Sequence, residues 1–252
     1  MSYLGYRGDD GNAPFAEFYR PDMAALPRHV VTALDHGPQA EPVLTAFDDV
    51  AALRDPGYHP TENGFGVLRD NGIHVSVRTD MPGVAPTMWA WWFGWHGDDS
   101  RRYKLWHPRA HVSARWTAAG SGYVGRTSVV EEYLGSGFAH VAIQFVEPAV
   151  LGLDGLGDDV AICARVGSPD IPVDVGWLVH HVRATDGGSE MRSGFWMGGR
   201  HVALRGKRSP VDRALRPIAA RLLPDPRDLL VHCAQEMNHL ASFLPDLHAR
   251  FS

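Results

Sequence analysis

The sequence predicts an α+β protein: an antiparallel sheet first, helices last, with a cavity where the final helix lies on a curved sheet. Three observations carry this. Five strand-like runs of about 7 to 13 residues, "YVGRTSVVEEYLG", "FAHVAIQFVEP", "DVAICARVG", "VGWLVHHVRAT" and "SEMRSGFWMGG", follow one another between Gly, Pro and Asp turns. Two helical patterns, "SPVDRALRPIAARLL" and "LLVHCAQEMNHLASFLP", close the chain. The last of them places His232 and Glu236 on the flank of its apolar stripe.

Taken in order, residues 1–60 are rich in Pro, Asp and turn residues, with short helix candidates at "PRHVVTALDHG" and "AFDDVAALRD". They read as an arm or small subdomain that packs on the main domain, 61–252, or on a second subunit. In "GFGVLRDNGIHVSVRTDMPG" the alternation of Ile73, Val75 and Val77 signals a strand. Pro86 opens an aromatic helix, "PTMWAWWFGWHG", closed by Gly94 or Gly97. Its tryptophans suit a core or the wall of an aromatic pocket. After the sheet runs, Ser209–Pro210 and Asp225–Pro226 supply a cap and first-turn proline for each closing helix.

The chain has 252 residues, 44% of them apolar, enough for one large core plus an appendage. A net charge of −5 argues against binding to nucleic acid or an anionic membrane. No run of 18 apolar residues occurs, and "MSYLGYRGDDGNAPF" lacks a signal-peptide core, so a cytoplasmic protein is expected. Cys163 and Cys233 fall in a strand and a helix and read as buried free thiols. No phosphate loop, dinucleotide fingerprint or G-x-S-x-G elbow is present.

In the last helix Leu229, Cys233, Met237, Leu240 and Leu244 share a face at about 100° per residue. His232 and Glu236, spaced i, i+4, point together at whatever that face covers. Alone, the pair reads more readily as a surface contact than as half of a metal site. Further ligands are available in "HPRAHV", which holds His107 and His111, and in "VVEEYLG", which holds Glu131 and Glu132. Adjacent strand residues face opposite ways. Glu132 shares its face with Val124, Val130 and Leu134 and is expected inward, Glu131 outward. By the same rule His180, beside Leu178 and Val182, is expected inward and His181 outward. A histidine so placed is either an acid–base group or one bonded to a carbonyl. Tyr103 offers a hydroxyl that could meet a substrate oxygen.

"MWAWWFGWHGDDSRRYKLWHPRAHVSARW", "GRTSVVEEYLG", "IQFVEPAVLGL", "MRSGFWMGG" and "HCAQEMNHLASFLP" together resemble the diacetylphloroglucinol hydrolase and phloretin hydrolase family. The resemblance runs from about residue 60 to the C-terminus with the motifs in the family's order. It implies a helix-grip fold, like START domains and the birch-pollen allergen group, preceded by an N-terminal segment. It also implies a homodimeric hydrolase with one Zn²⁺ per chain, cleaving the carbon–carbon bond between an aromatic ring and an acyl group. Carried over motif by motif, the ligands are His111, Glu132, His232 and Glu236. Tyr103 matches a substrate-binding tyrosine, and His180 a histidine near the reacting carbonyl. Two positions depart: Ala114 stands where acylphloroglucinol-cleaving members carry Asn, and Phe195 where they carry a pocket tyrosine. Both changes remove hydrogen bonds to phenolic hydroxyls, so a small aromatic ketone with fewer or rearranged hydroxyls is the expected substrate.

The expected chemistry is protonation of the ring carbon bearing the acyl group, then attack of zinc-bound hydroxide on the acyl carbonyl. His180 would shuttle the proton and Tyr103 would hold an oxygen. Two other readings compete. One is a helix-grip protein that binds an aromatic or lipid-like ligand without chemistry. The other is a metal-dependent hydrolase of esters or non-aromatic β-diketones.

Overall fold

A computed structural model describes residues 4–206 and 209–252. The apolar runs form strands β1 (Gly64–Val67), β2 (Ile73–Pro82), β3 (His111–Trp116), β4 (Thr127–Leu134), β5 (Gly137–Val146), β6 (Val160–Gly167), β7 (Val173–Thr185), β8 (Gly188–Met197) and the short β9 (Ala203–Leu204). They make one antiparallel sheet in the order β1-β2-β8-β7-β6-β5-β4-β3, with β9 added to β7. After β2 the chain crosses to the far edge and returns as a meander of hairpins from β3 to β8, ending beside β2. Helices α2 (Pro86–Trp95) and α3 (Ser100–Trp106) make that crossing, and α5 (Pro226–Ala241) lies across the inner face of the sheet. A sheet gripping its C-terminal helix is the architecture expected.

The inner core joins Val75, Val77, Ile162, Leu178 and Met191 of the sheet to Leu229, Cys233, Met237 and Leu240 of α5. A second apolar cluster occupies the outer face. There Val50 and Leu53, from a 3-10 helix at Phe47–Arg54, cover Cys163, Val179 and Trp196. The central strands are therefore buried on both sides, which explains polar pairs inside the outer layer. Buried Arg192 donates to Glu62 at 2.6 Å and to the carbonyl of Leu53 at 2.6 Å. Both cysteines are free and buried.

Residues near the N-terminus pack on the helices: Phe15 meets Trp95 and Phe251 edge-on, and the Tyr6 hydroxyl donates to the carbonyl of Arg101. Helix α1 (Arg28–His36) follows, and the side chain of His29 bonds the Arg78 carbonyl on β2. Among the described residues no helix is long and apolar enough to cross a membrane.

Several local expectations are corrected. Helix α2 continues past Gly94, and Gly97 lies in the next turn, where a Cβ would sit 2.7 Å from the Trp116 ring. Sequence pattern marks neither α3 nor β3. The first is only seven residues long, started by Asp99, whose side chain accepts from the Arg101 amide. The second carries a bulge that spoils its alternation. Val124 precedes β4 and shares no strand face with Glu132. Helix α4 (Asp212–Ala219) starts at Asp212, after the expected Ser209–Pro210 cap, and the Ser209 hydroxyl accepts from the Val211 amide instead. The last helical pattern is two helices: α5 ends at Ala241 and α6 (Leu244–Phe251) begins after Phe243. Pro245 forces the break, since its ring would meet the carbonyl four residues earlier in a continuous helix. Asp225 caps α5 as expected, accepting from the Arg227 amide at 2.8 Å.

Candidate metal centre and substrate cavity

Where β3, β4 and α5 meet, four polar side chains converge. The strand register sets His111 directly across from Glu132. Successive turns of α5 bring His232 and Glu236 to the same place. The bulge at Val112 decides which side of β3 faces in. His111 pairs with Glu132 but Ser113 already pairs with Glu131, so His111 and Ala114 both point inward despite their odd spacing.

His111 Nε2 lies 3.3 Å from His232 Nε2, 3.5 Å from Glu132 Oε2 and 3.4 Å from Glu236 Oε2. From His232 Nε2 the same two carboxylate oxygens are 3.6 and 3.7 Å away. Imidazole nitrogens and carboxylate oxygens are the donors Zn²⁺ takes. His111, His232 and Glu236 make the tightest group, and Glu132 adjoins both imidazoles from β4. The rings are also oriented for ligation. His111 Nδ1 donates to the Tyr103 carbonyl at 2.9 Å, which leaves Nε2 with a free lone pair. His232 is tied to the backbone of Tyr133 and stacks on His107 at 4.8 Å. The Tyr103 ring stacks on His111 at 3.7 Å, and its hydroxyl donates to Glu132 Oε2 at 2.5 Å.

Electrostatics suit a cation. Burial, reinforced by Glu132, pushes the Glu236 carboxyl up to about 8. Burial also works against charge on Glu132, but hydrogen bonds from His232 and Tyr103 hold its pKa below the usual value. Against the same burial, Glu132 and Glu236 hold the His232 pKa up. Burial and then neighbouring His232 press His111 well below its ordinary value. Two carboxylates and two imidazoles packed this closely repel as anions or as imidazolium ions, and a divalent cation relieves both conflicts. His111, His232 and Glu236 form a buried group able to hold a metal.

The cluster closes one end of a cavity of about 70 Å³. Its walls are mostly apolar, with Phe93, Trp106, Val130, Phe145, Leu178 and Phe195 among them. Polar groups are few: His96, Tyr103, Ser128 and His180. His180 Nδ1 is 2.8 Å from the Ser193 hydroxyl, and burial pushes its pKa down to about 3, so the ring is neutral. Its neighbour His181 faces outward and bonds Asp159. Glu131 also faces outward, accepting from Ser113 at 2.7 Å. Phe195 lines the cavity edge-on to His180, whereas Ala114 is packed in the core beside it. Of the aromatic helix only Phe93 reaches the cavity, while Trp89 and Trp92 are core.

Four features lie outside what the sequence led one to expect: the Tyr103–Glu132 bond, the stacking of His107 on His232, and His96 and Ser128 in the cavity wall. The last had a signal, since Ser128, Val130 and Glu132 alternate along one strand face.

Residues 44–249 match the family described as the DAPG hydrolase PhiG domain. A 2,4-diacetylphloroglucinol hydrolase from Pseudomonas sp is 31% identical over 95% of this chain and 89% of its own length. The phloretin hydrolase of Eubacterium ramulus is 27% identical over 98% of this chain and 93% of its own. Among solved structures, the ginseng major latex-like protein 151 from Panax ginseng is similar with a TM-score of 0.37. It is 10% identical and covers 64% of this chain and 97% of its own.

Proposed function

The chain belongs to the DAPG hydrolase family, and on that premise we propose that it is a zinc-dependent hydrolase cleaving the bond between a phenolic ring and its acyl group. The observation that carries this reading is the convergence of His111, Glu132, His232 and Glu236 beside a mostly apolar cavity. When bound there, Zn²⁺ supplies Lewis acidity toward a carbonyl oxygen and lowers the pKa of water.

The chain's own residues supply the rest. The apolar walls desolvate a flat aromatic ring and keep bulk water from the reacting bond. Neutral His180, with Nδ1 engaged by Ser193, has its second ring nitrogen left for the substrate. It accepts the phenolic proton and returns it to the ring carbon that bears the acyl group, giving the ketone tautomer. Burial and then Glu132 raise the Tyr103 pKa well above its ordinary value, so the hydroxyl stays protonated and donates to Glu132, which leaves its oxygen to accept from a substrate hydroxyl. When the ring–acyl bond breaks, the ring carbon keeps the electron pair as a conjugated enolate. The acyl carbon leaves bonded to the oxygen of water, as a carboxylic acid.

Phe195, a wall without a hydroxyl, favours substrates with fewer or rearranged phenolic groups than diacetylphloroglucinol. A cytoplasmic homodimer belongs to the same reading, and a monomer mass by light scattering at micromolar concentration would remove the dimer. The function itself is tested by elemental analysis of the purified protein followed by a screen of acylated phenols for carboxylic acid release. About one zinc per chain with acid release is expected. Metal-free protein that merely binds the phenols, or zinc protein that cleaves only esters, would overturn the proposal.

A further inference from the structure

Ser128 is 1% exposed and lines the cavity, yet its hydroxyl has no hydrogen-bond partner in the protein. Buried hydroxyls are nearly always paired, because an unpaired one has given up water for nothing. Its cross-strand neighbours are Trp116 on β3 and Ile143 on β5, and neither side chain carries an acceptor. The cavity's Tyr103 and His180 already have partners in Glu132 and Ser193. Ser128 stands on the same face of β4 as Glu132, four residues away, which is about 13 Å along the strand. An acyl group, one benzene ring and a ring oxygen laid end to end, together with the reach of the Glu132 side chain, fill such a span.

We propose that Ser128 is a specificity-determining residue that hydrogen-bonds a ring oxygen at the end of the substrate opposite its acyl group. This rests on the reading of the site as an acylphenol hydrolase. It names what that site selects: a monocyclic acylphenol oxygenated para to the acyl carbon. A serine hydroxyl both donates and accepts. It therefore keeps its bond when that oxygen changes from phenol to ketone as the ring is protonated. Phe195 and Ala114 offer the ring no hydrogen bond, and Ser128 supplies one from a different strand, at a different point on the ring.

Two isomers separate the effect of position from that of hydroxyl count: 2,4-dihydroxyacetophenone, with an oxygen at the far end, and 2,6-dihydroxyacetophenone, without one. Binding to the zinc-loaded protein is followed by tryptophan quenching and cleavage by acetate release, for wild type and Ser128→Ala. Wild type should favour the 2,4-isomer at least about tenfold in Kd. Ser128→Ala should bring that ratio close to one by weakening only the 2,4-isomer, while its melting temperature does not fall. An unchanged ratio overturns the proposal, as does failure of either isomer to bind. A lowered melting temperature also overturns it, because the hydroxyl would then be bonded within the protein. If the binding ratio collapses as stated but neither isomer releases acetate, Ser128 keeps its role and the hydrolase reading fails.

Discussion

Tyr103→Phe removes one oxygen and little else. The ring that stacks 3.7 Å from His111 stays, as does the Tyr103 carbonyl that accepts from His111 Nδ1 at 2.9 Å. What disappears is the 2.5 Å hydrogen bond to Glu132 Oε2. A hydrogen bond to a charged acceptor contributes about 1.5–3 kcal/mol. Groups that orient a metal ligand change affinity by about 10–100-fold. At about 1.4 kcal/mol per factor of ten, the two ranges agree. Zinc should therefore bind the variant roughly 10–100-fold more weakly, with the metal-free protein folding normally by circular dichroism. Competition against a chromophoric chelator measures the affinity directly. An unchanged Kd would refute the claim that Tyr103 acts on the metal through Glu132. Complete loss of zinc by a folded variant would show that the phenolic oxygen is itself a ligand.

Other expectations follow from the same geometry. Glu132→Ala should lose zinc while Glu131→Ala, whose partner is Ser113 on the outer face, should keep it; elemental analysis showing the reverse would mean the strand faces are exchanged. Phe195→Tyr sets a hydroxyl on the cavity wall beside His180 and should improve turnover of diacetylphloroglucinol. Pairing a substrate hydroxyl that is otherwise buried without a partner contributes about 1–3 kcal/mol to that gain, and efficient cleavage by wild type would contradict the assigned role of Phe195. Burial holds His74 neutral in the fold by pushing its pKa down to about 4, from an ordinary 6.5. The unfolded chain thus binds the proton first: this stability is full above pH 6.5 and drains away as the pH falls toward 4. By pH 5 the loss is about 2 kcal/mol. Urea unfolding of wild type and His74→Gln at pH 7 and 5 checks it, and equal pH dependence in the two proteins would count against it.

The parts of this protein governed by local pattern were legible in the sequence. Runs bounded by Gly, Pro and Asp turns marked β4 to β8, and the opposite facing of adjacent strand residues set Glu132 and His180 inward against Glu131 and His181. The helical spacing of His232 and Glu236 placed both on one side of α5. Features set by tertiary contacts were not legible. The bulge at Val112 turns His111 and Ala114 the same way, and only the pairing with β4 reveals it. Strand β3 and helix α3 are too short for periodicity to register, although together they carry His111 and Tyr103. The hydrogen bond from Tyr103 to Glu132 joins residues 29 apart, and no spacing rule connects them. The outer layer on the sheet hid a further cue, since burial on both faces erases the alternation by which an inner side is recognised.

On the proposed function, one zinc held by His111, Glu132, His232 and Glu236 is required to cut a ring–acyl carbon–carbon bond. The most direct measurement titrates zinc into chelator-treated protein while following acetate release from 2,4-dihydroxyacetophenone. Activity should rise linearly and break at about one zinc per chain, as a single four-ligand site requires. Release of acetate at the same rate without zinc, or no release at saturating zinc, would show that this site does not drive the cleavage.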